Sequence, residues 1–516
     1  MHHCLFISEI VSLIGENLEP STLAKVSRTC RALTDPALNV LWRSQNSLGP
    51  LIQVMPSDLW AVVASEEHRF DDFVKTVNIV NFLRGLEETD WTRFEYYGRK
   101  IRRLKNDFEN PTDIFIAHED VLMALSAYRP VRTLLPSLRE ISLDLKQENI
   151  FRSMPFFQCL LGPTVQHVGI HFDGLADAAA LPSLLSSIVR MCPDISSFEV
   201  IRDDDFSNGR RPVPYHSLCI QRNLRHVDIN DSMPAEVILH LGQLPSLRTW
   251  RSVVVTSGPE LRWFTTHGER FLNLRHFSFT AVGWNTAAEI IHSMRCPFET
   301  LSVHVVDDTP REHWDTHSAF GRFLRSFDRH PALLLLKDLE IEGNVVISEN
   351  DHETRKSLSD TLEKLLRSLT SVLLRLVLDV QAMNCLLDNI FLLSTDLWPR
   401  LRVLRLVGRG TPRVTLGGLV FVLDSCPDLV VLDVSALWRP FLTNRVTHCS
   451  RNSRITTMRM CDSEIENPVG VFRCLSLMFP RLRQVWNIRF QAENGEGWRQ
   501  LRQMLQESAL CAAWEP

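Results

Sequence analysis

The chain has 516 residues, 45% of them hydrophobic, with a formal net charge of −5 and a pI near 6.4. That balance can fill a large core and excludes both charge-driven disorder and a strongly basic nucleic-acid binder. No stretch approaches the roughly 18 apolar residues of a membrane span, so no membrane partner is expected. The twelve cysteines are scattered, as suits reduced thiols in the cytoplasm and/or nucleus. Glu9 and Glu16 interrupt the apolar amino terminus and no basic run precedes it, which argues against a signal peptide.

In chain order, three short helices are expected first. ISEIVSLIGENL from Ile7 sets Ile7, Ile10, Val11, Ile14 and Leu18 on one helical face. Ser21 is a candidate cap for a second helix carrying Leu23, Val26, Cys30 and Leu33. A third begins at Asp35, with Pro36 in its first turn, and closes on Leu41 and Trp42. Three such helices bury too little surface to stand alone, so the unit is expected to lean on a partner. VKTVNI from Val74 and IRRLKN from Ile101 read as atypical capping repeats, and the basic GRKIRRLKN from Gly98 as a solvated edge.

From Leu138 onward one motif recurs, apolar-x-x-apolar-x-apolar. It reads LREISL at Leu138, VQHVGI at Val165, ISSFEV at Ile195, LRHVDI at Leu224 and, degraded, LRTWRS at Leu247. It continues through Leu274, Phe298, Leu336, Leu373, Leu401, Leu429, Ile455 and Leu482. Most steps are 23 to 30 residues, and two, after Phe298 and Leu336, are 38 and 37. This period resembles that of leucine-rich repeats and predicts an α/β solenoid, a horseshoe of strand-and-helix units. The first, fourth and sixth positions should face the core and the third and fifth should face out. Those outward positions hold Glu140, His167, Glu199, His226, Asp228 and His276 early, then Asp338, Glu340, Arg375, Arg405, Asp433 and Arg459.

The two long steps carry DDTPREHWDTHSAFGRF from Asp307 and ISENDHETRKSLSDTLEKL from Ile347, which read as longer helices with charged flanks or as binding loops. Aromatic and arginine residues dominate energetic hot spots, so Trp314, Arg405, Arg459 and Trp486 are the substrate-contact candidates. The acidic run at Asp203 reads as a loop beside a strand exit. Residues 496–516 contain an amphipathic helix with Trp498, Leu501, Met504 and Leu505 on one face, expected to cap the last repeat.

The first segment carries a family resemblance. Ile7-Ser8-Glu9-Ile10, then Leu23 to Cys30-Arg31, then Leu41-Trp42-Arg43 resembles the F-box, with Ile7-Ser8 standing where the family opens on Leu-Pro. With TCRALTDPALNVLWR, LGPLIQVMPSDLW and DWTRFEYYGRKIRRL, the whole chain resembles the F-box proteins with degenerate leucine-rich repeats numerous in basidiomycete fungi. The resemblance implies an all-α F-box at 1–45, a linker with atypical first repeats at 46–130, irregular repeats at 131–495 and a capping helix at 496–516. It implies docking on a Skp-type adaptor, and through it on a cullin and a RING subunit, with the repeats holding an unknown protein substrate. Ile7, Ile10, Leu13, Ile14, Leu23, Val26, Cys30, Leu33, Leu41 and Trp42 would contact the adaptor or form the F-box core. The other reading is a non-catalytic scaffold that binds partners without ubiquitin transfer.

Catalytic motifs are not found: there is no GxxxxGK[ST], GxSxG, HExxH or CxxC, and TLGGL at Thr415 lacks the lysine of a phosphate loop. The expectation is a protein that is not an enzyme and needs no cofactor. His167, His226 and His276 share the third motif position, but in alternate repeats they stand about 9–10 Å apart, too far to share an ion unaided. Met1-His2-His3-Cys4 could bind metal only adventitiously.

Overall fold

The structure is a computed structural model. It describes the chain except residues 1–6, 69–73, 106–114, 130–132, 145–149, 173–180, 203–212, 255–270, 307–315, 346–351, 370–371, 381–397, 409–415, 435–450, 460–464, 466, 487–495 and 513–516. Two compact units divide it, Met1–Val237 and Ile238–Pro516. Both are mixed α/β, built from parallel strands that alternate with helices.

The first unit opens with α1 (Ser8–Gly15), α2 (Pro20–Val26) and α3 (Arg31–Leu41). Two boundaries differ from the expectation. The second helix starts at Pro20, not after a Ser21 cap, because a proline at the first helical position has its φ preset and no N–H to satisfy. The third starts four residues before Asp35 and contains Pro36 in its interior. Strand β1 (Ser44–Gln45) follows at once, then a short helix Gly49–Gln53 and the antiparallel pair β2 (Trp60–His68) and β3 (Val74–Phe82). The Val74 segment is therefore a hairpin strand outside the main ladder, and β5 (Phe115–Ala117) joins it in a sheet of its own. The Ile101 segment does enter the ladder, as β4 (Arg103–Lys105).

The remaining ladder strands of this unit are β6 (Glu140–Asp144), β7 (His167–Phe172), β8 (Ser197–Arg202) and β9 (His226–Ile229), in the order β1-β4-β6-β7-β8-β9 and all parallel. The motif explains the stacking. Leu138, Ile141 and Leu143 are buried, as are Val165, Val168 and Ile170 in the next strand. The second motif position adds a recurring hydrogen bond: the Arg139 carbonyl accepts the N–H groups of both Gln166 and His167, at 2.8 and 2.9 Å. The Arg102 carbonyl does the same for Arg139 and Glu140, and the Arg43 carbonyl for Arg102 and Arg103. The residue that ends the Leu-Trp-Arg segment thus plays the backbone part of a second motif position, and Trp42 that of a buried first one.

The second unit runs β10 (Thr249–Val254), β11 (His276–Val282), β12 (Thr300–Val306), β13 (Asp338–Gly343), β14 (Arg375–Val380), β15 (Val403–Val407), β16 (Val431–Val434), β17 (Thr457–Arg459) and β18 (Gln484–Trp486), each parallel to the next. LRTWRS, degraded as a motif, supplies a full strand here, with Trp250 buried and stacked on Phe271 at 4.9 Å. The long steps contain the helices Thr316–Ser326 and His352–Ser368, and the TLGGL glycines lie in the helix Leu416–Ser425. Helix and strand layers meet closely at Gly343, where an added Cβ would come within 2.7 Å of the Trp284 ring. Trp284 packs on Phe320 and donates its indole N–H to the Asn344 carbonyl at 2.8 Å. In the last helix, Glu496–Ala512, Trp498, Leu501 and Leu505 are buried and Met504 is half-buried.

Candidate functional site

Two surfaces hold the residues singled out by sequence. The first is α1. Its inner side is made by Val11 and by Gly15, whose missing side chain lets Leu23 and Val40 approach to 3.2 Å of where a Cβ would stand. Beside that packed strip Ile7, at the cap, and Ile14 are each 47% exposed with Ile10 half-buried between them, and Leu13, farther round the helix, is 63% exposed. Of the ten candidates, Leu23 and Trp42 are core residues, while Val26, Cys30, Leu33 and Leu41 are half-buried at the edges of the three helices. Ala37, almost fully buried, went unnoticed in the sequence because a small residue adds little to an apolar pattern.

What holds these helices is a polar and aromatic joint. Trp42 lies against Tyr97, with ring centroids 4.6 Å apart. The Tyr96 hydroxyl donates to Asp35 at 2.8 Å, and the Lys100 ammonium donates to Asp35 and to Asn39, both at 3.0 Å. The Tyr96 hydrogen bond, then Lys100, holds the Asp35 carboxyl below its usual range, and the Tyr96 phenol is pushed up to about 12 by the same carboxylate. Arg43 pairs with Glu16 of the turn after α1. The helix that supplies Tyr96 and Tyr97, Trp91–Gly98, is fixed in turn by Arg84, which grips the buried Asp90 with two bonds of 2.8 and 2.9 Å. Each link is short, so the three helices and the first ladder strands form one body.

The second surface is the outward side of the ladder strands. Register sets its rows. In the first unit Arg103, Glu140, His167, Ser197 and His226 form one row. In the second unit Ser278, Ser302, Glu340, Val377, Arg405, Asp433, Arg459 and Trp486 form another. Many of these side chains are partnered across strands. Lys105 pairs with Glu140 at 2.7 Å. Arg375 donates twice to Glu340, at 3.1 and 2.8 Å, and holds that carboxyl below its usual range. His304 meets Glu342 at 3.0 Å, and His276 reaches Asp338 through the Thr300 hydroxyl. The Arg405 Nε lies 2.9 Å from Asp433 but off the line of a hydrogen bond, so charge holds that pair.

Arg405 and Arg459 thus stand in one row two strands apart, flanking the buried Asp433, and Trp486 takes the next register position. Trp314, the Asp203 run and Met1-His2-His3-Cys4 lie outside the described residues. Among the described residues no three His, Cys, Asp or Glu side chains are grouped to hold a metal, and no helix is long and apolar enough to cross a membrane. The Cys-Pro cysteines Cys192, Cys296 and Cys426 are buried, and burial pushes their thiols up to about 11, 12 and 12. These are packing residues without nucleophilic character.

Comparison with known proteins adds no relative: no protein-family model matches the chain, and no curated protein matches it.

Proposed function

We propose that this chain is the substrate-recognition subunit of an SCF-type cullin-RING ubiquitin ligase, its first three helices an F-box and its strand-and-helix units a leucine-rich-repeat solenoid. The observation that carries the reading is the apolar outer surface of α1 and its cap, where Ile7, Leu13 and Ile14 are exposed round a helix anchored by the buried Val11 and Gly15. Isoleucine and leucine left about half in water are a docking surface in waiting, since covering what remains exposed of each contributes about half of the roughly 1.5–3 kcal/mol of full burial. The order of motifs from Ile7 to Arg43 makes a Skp-type adaptor the partner of choice.

In such a ligase the chemistry belongs to the partners. This chain contributes proximity and orientation, raising the effective concentration of a substrate lysine near the conjugating enzyme. The joint at Trp42, Asp35 and Arg43 supports that role, because it lets the first helices and the ladder strands of the same unit turn together. Co-purification of the full chain with a Skp-type adaptor tests the proposal. The exposed pair Leu13→Asp and Ile14→Asp should abolish the complex while leaving circular dichroism unchanged. A wild-type chain that is soluble and ignores the adaptor would leave the scaffold reading in its place.

A further inference from the structure

Charge is unevenly spread along this chain. Residues 400–483 contain thirteen arginines, no lysine and six acidic residues, a formal excess of seven positive charges in a chain whose overall charge is −5. Arginine alone, with its planar fork of donors, points to recognition of carboxylate or phosphate more than to general solubility. Strands β15, β16 and β17 fall in this stretch and present Arg405, Asp433 and Arg459 side by side in one outward row.

The row is built asymmetrically. Arg459 is exposed and has no ion pair among the described residues, whereas Arg405 is half-buried against Asp433. Asp433 is only 2% exposed, and its carboxylate also accepts the main-chain N–H of Arg459. Its single charge faces two guanidinium groups, so the row keeps a net positive charge with the acid sunk beneath it.

We propose that this row binds an extended, acidic segment of a partner protein, with carboxylates three residues apart received by Arg405 and Arg459. The proposal rests on the reading above that the repeats hold a protein substrate. Spacing argues for it: positions two strands apart are separated by about 9–10 Å, which matches three residues of an extended polyproline-II segment at about 3.1 Å each, the conformation that returns every third side chain to the same face. The residues between the two carboxylates then cross over Asp433 without repulsion. A single phosphate set between the two arginines would stand directly over the Asp433 carboxylate, a like charge already in that place. A nucleic-acid backbone would run a continuous series of charges past Asp433 and the neighbouring Glu340, which disfavours it.

The test is fluorescence anisotropy of the full chain with a labelled twelve-residue peptide bearing Glu at every third position, against a composition-matched peptide with its Glu residues clustered and a twelve-nucleotide oligo(dT). The spaced peptide should bind best. Arg459→Glu, at an exposed position, should weaken it about tenfold, and added salt should weaken it further. Asp433→Asn, which removes the one acid from the row, should tighten binding severalfold, an effect that a purely structural aspartate would not give. Equal binding by the Arg459→Glu protein, or tighter binding of oligo(dT) than of either peptide, would overturn the proposal. So would no binding by wild type, and a Skp-type adaptor still captured in parallel would then leave the ligase reading standing while this one falls.

Discussion

The outer side of α1 and the outward side of the second unit's strands are both candidate binding surfaces, yet they are made in opposite ways. On α1 the exposed side chains Ile7, Leu13 and Ile14 are apolar and nothing in the first three helices satisfies them. On strands β12 to β14 the outward side chains are mostly polar and several pair with one another, as in Glu340 with Arg375 and His304 with Glu342. An apolar surface gains from any partner that removes it from water, so it suits constant, tight association. A self-paired polar surface must trade internal contacts for external ones, so it adds little affinity and much discrimination. A common adaptor on one surface and a selected substrate on the other would divide the work in that way.

The contrast is sharpest between two apolar residues of the same helical unit. Trp42→Ala removes a buried ring that lies on Tyr97 and opens the first position of the ladder, at a cost of about 3–5 kcal/mol. A thermal melt of the full chain should show the loss as a large drop in Tm or as an early separate transition. Leu13→Asp, at an exposed position, should change stability by no more than about 0.5 kcal/mol and should act on adaptor binding alone. Equal destabilisation by both would mean that the outer side of α1 is covered by the chain itself.

Much of this was legible beforehand because the first, fourth and sixth motif positions repeat, and Leu401, Leu404 and Leu406 are buried as that period requires. The Val74 segment misled for the same reason. Period-two alternation is common to ladder strands and hairpins, and only pairing with Trp60–His68 decides between them. Helix α3 begins at Arg31 because Leu33 and Ala37 turn inward, with no side-chain cap on Cys30 to announce the start. The outward charge pairs were hidden by the uneven repeat lengths. Glu340 and Arg375 are 35 residues apart, and Arg375 stands opposite Asp338 in register but reaches diagonally to Glu340, a choice that no spacing rule supplies.

A middle-sized effect separates polar groups that are buried from those on the outward surface. His330 is buried between the Phe298 and Phe327 rings, one ring nitrogen accepting the Ala332 N–H at 3.1 Å and the other donating to the Met294 carbonyl. Burial above all, with Arg295 and His292 nearby, holds its pKa below the ordinary histidine value. The folded state therefore prefers the neutral ring, and below about pH 6.5 the unfolded chain binds more protons. Stability should fall on acidification with a slope of up to about 1.4 kcal/mol per pH unit, ending once the folded pKa is passed. Replacing the ring by His330→Asn should flatten the dependence of Tm on pH between 7.5 and 5.5, and an unchanged slope would assign it to other groups.

The smallest expected effect belongs to the outward pairs themselves. Arg375 holds Glu340 in a two-bond contact on a partly exposed surface, and hydrogen bonding to Arg375 is the main reason the carboxyl stays below its usual range. A lowered carboxyl pKa contributes stability above the unfolded value, lost as pH falls through the folded one. Solvent screening limits the contribution, so a double-mutant cycle of Glu340→Gln and Arg375→Gln should return a coupling of about 0.2–1 kcal/mol that shrinks with salt. A coupling well above that range would mean that the row is rigid and desolvated, closer in kind to the Arg84 and Asp90 pair. A coupling near zero would leave both side chains free to turn to a partner, and the outward surface would then be as available for binding as the bare Leu13 and Ile14 of α1.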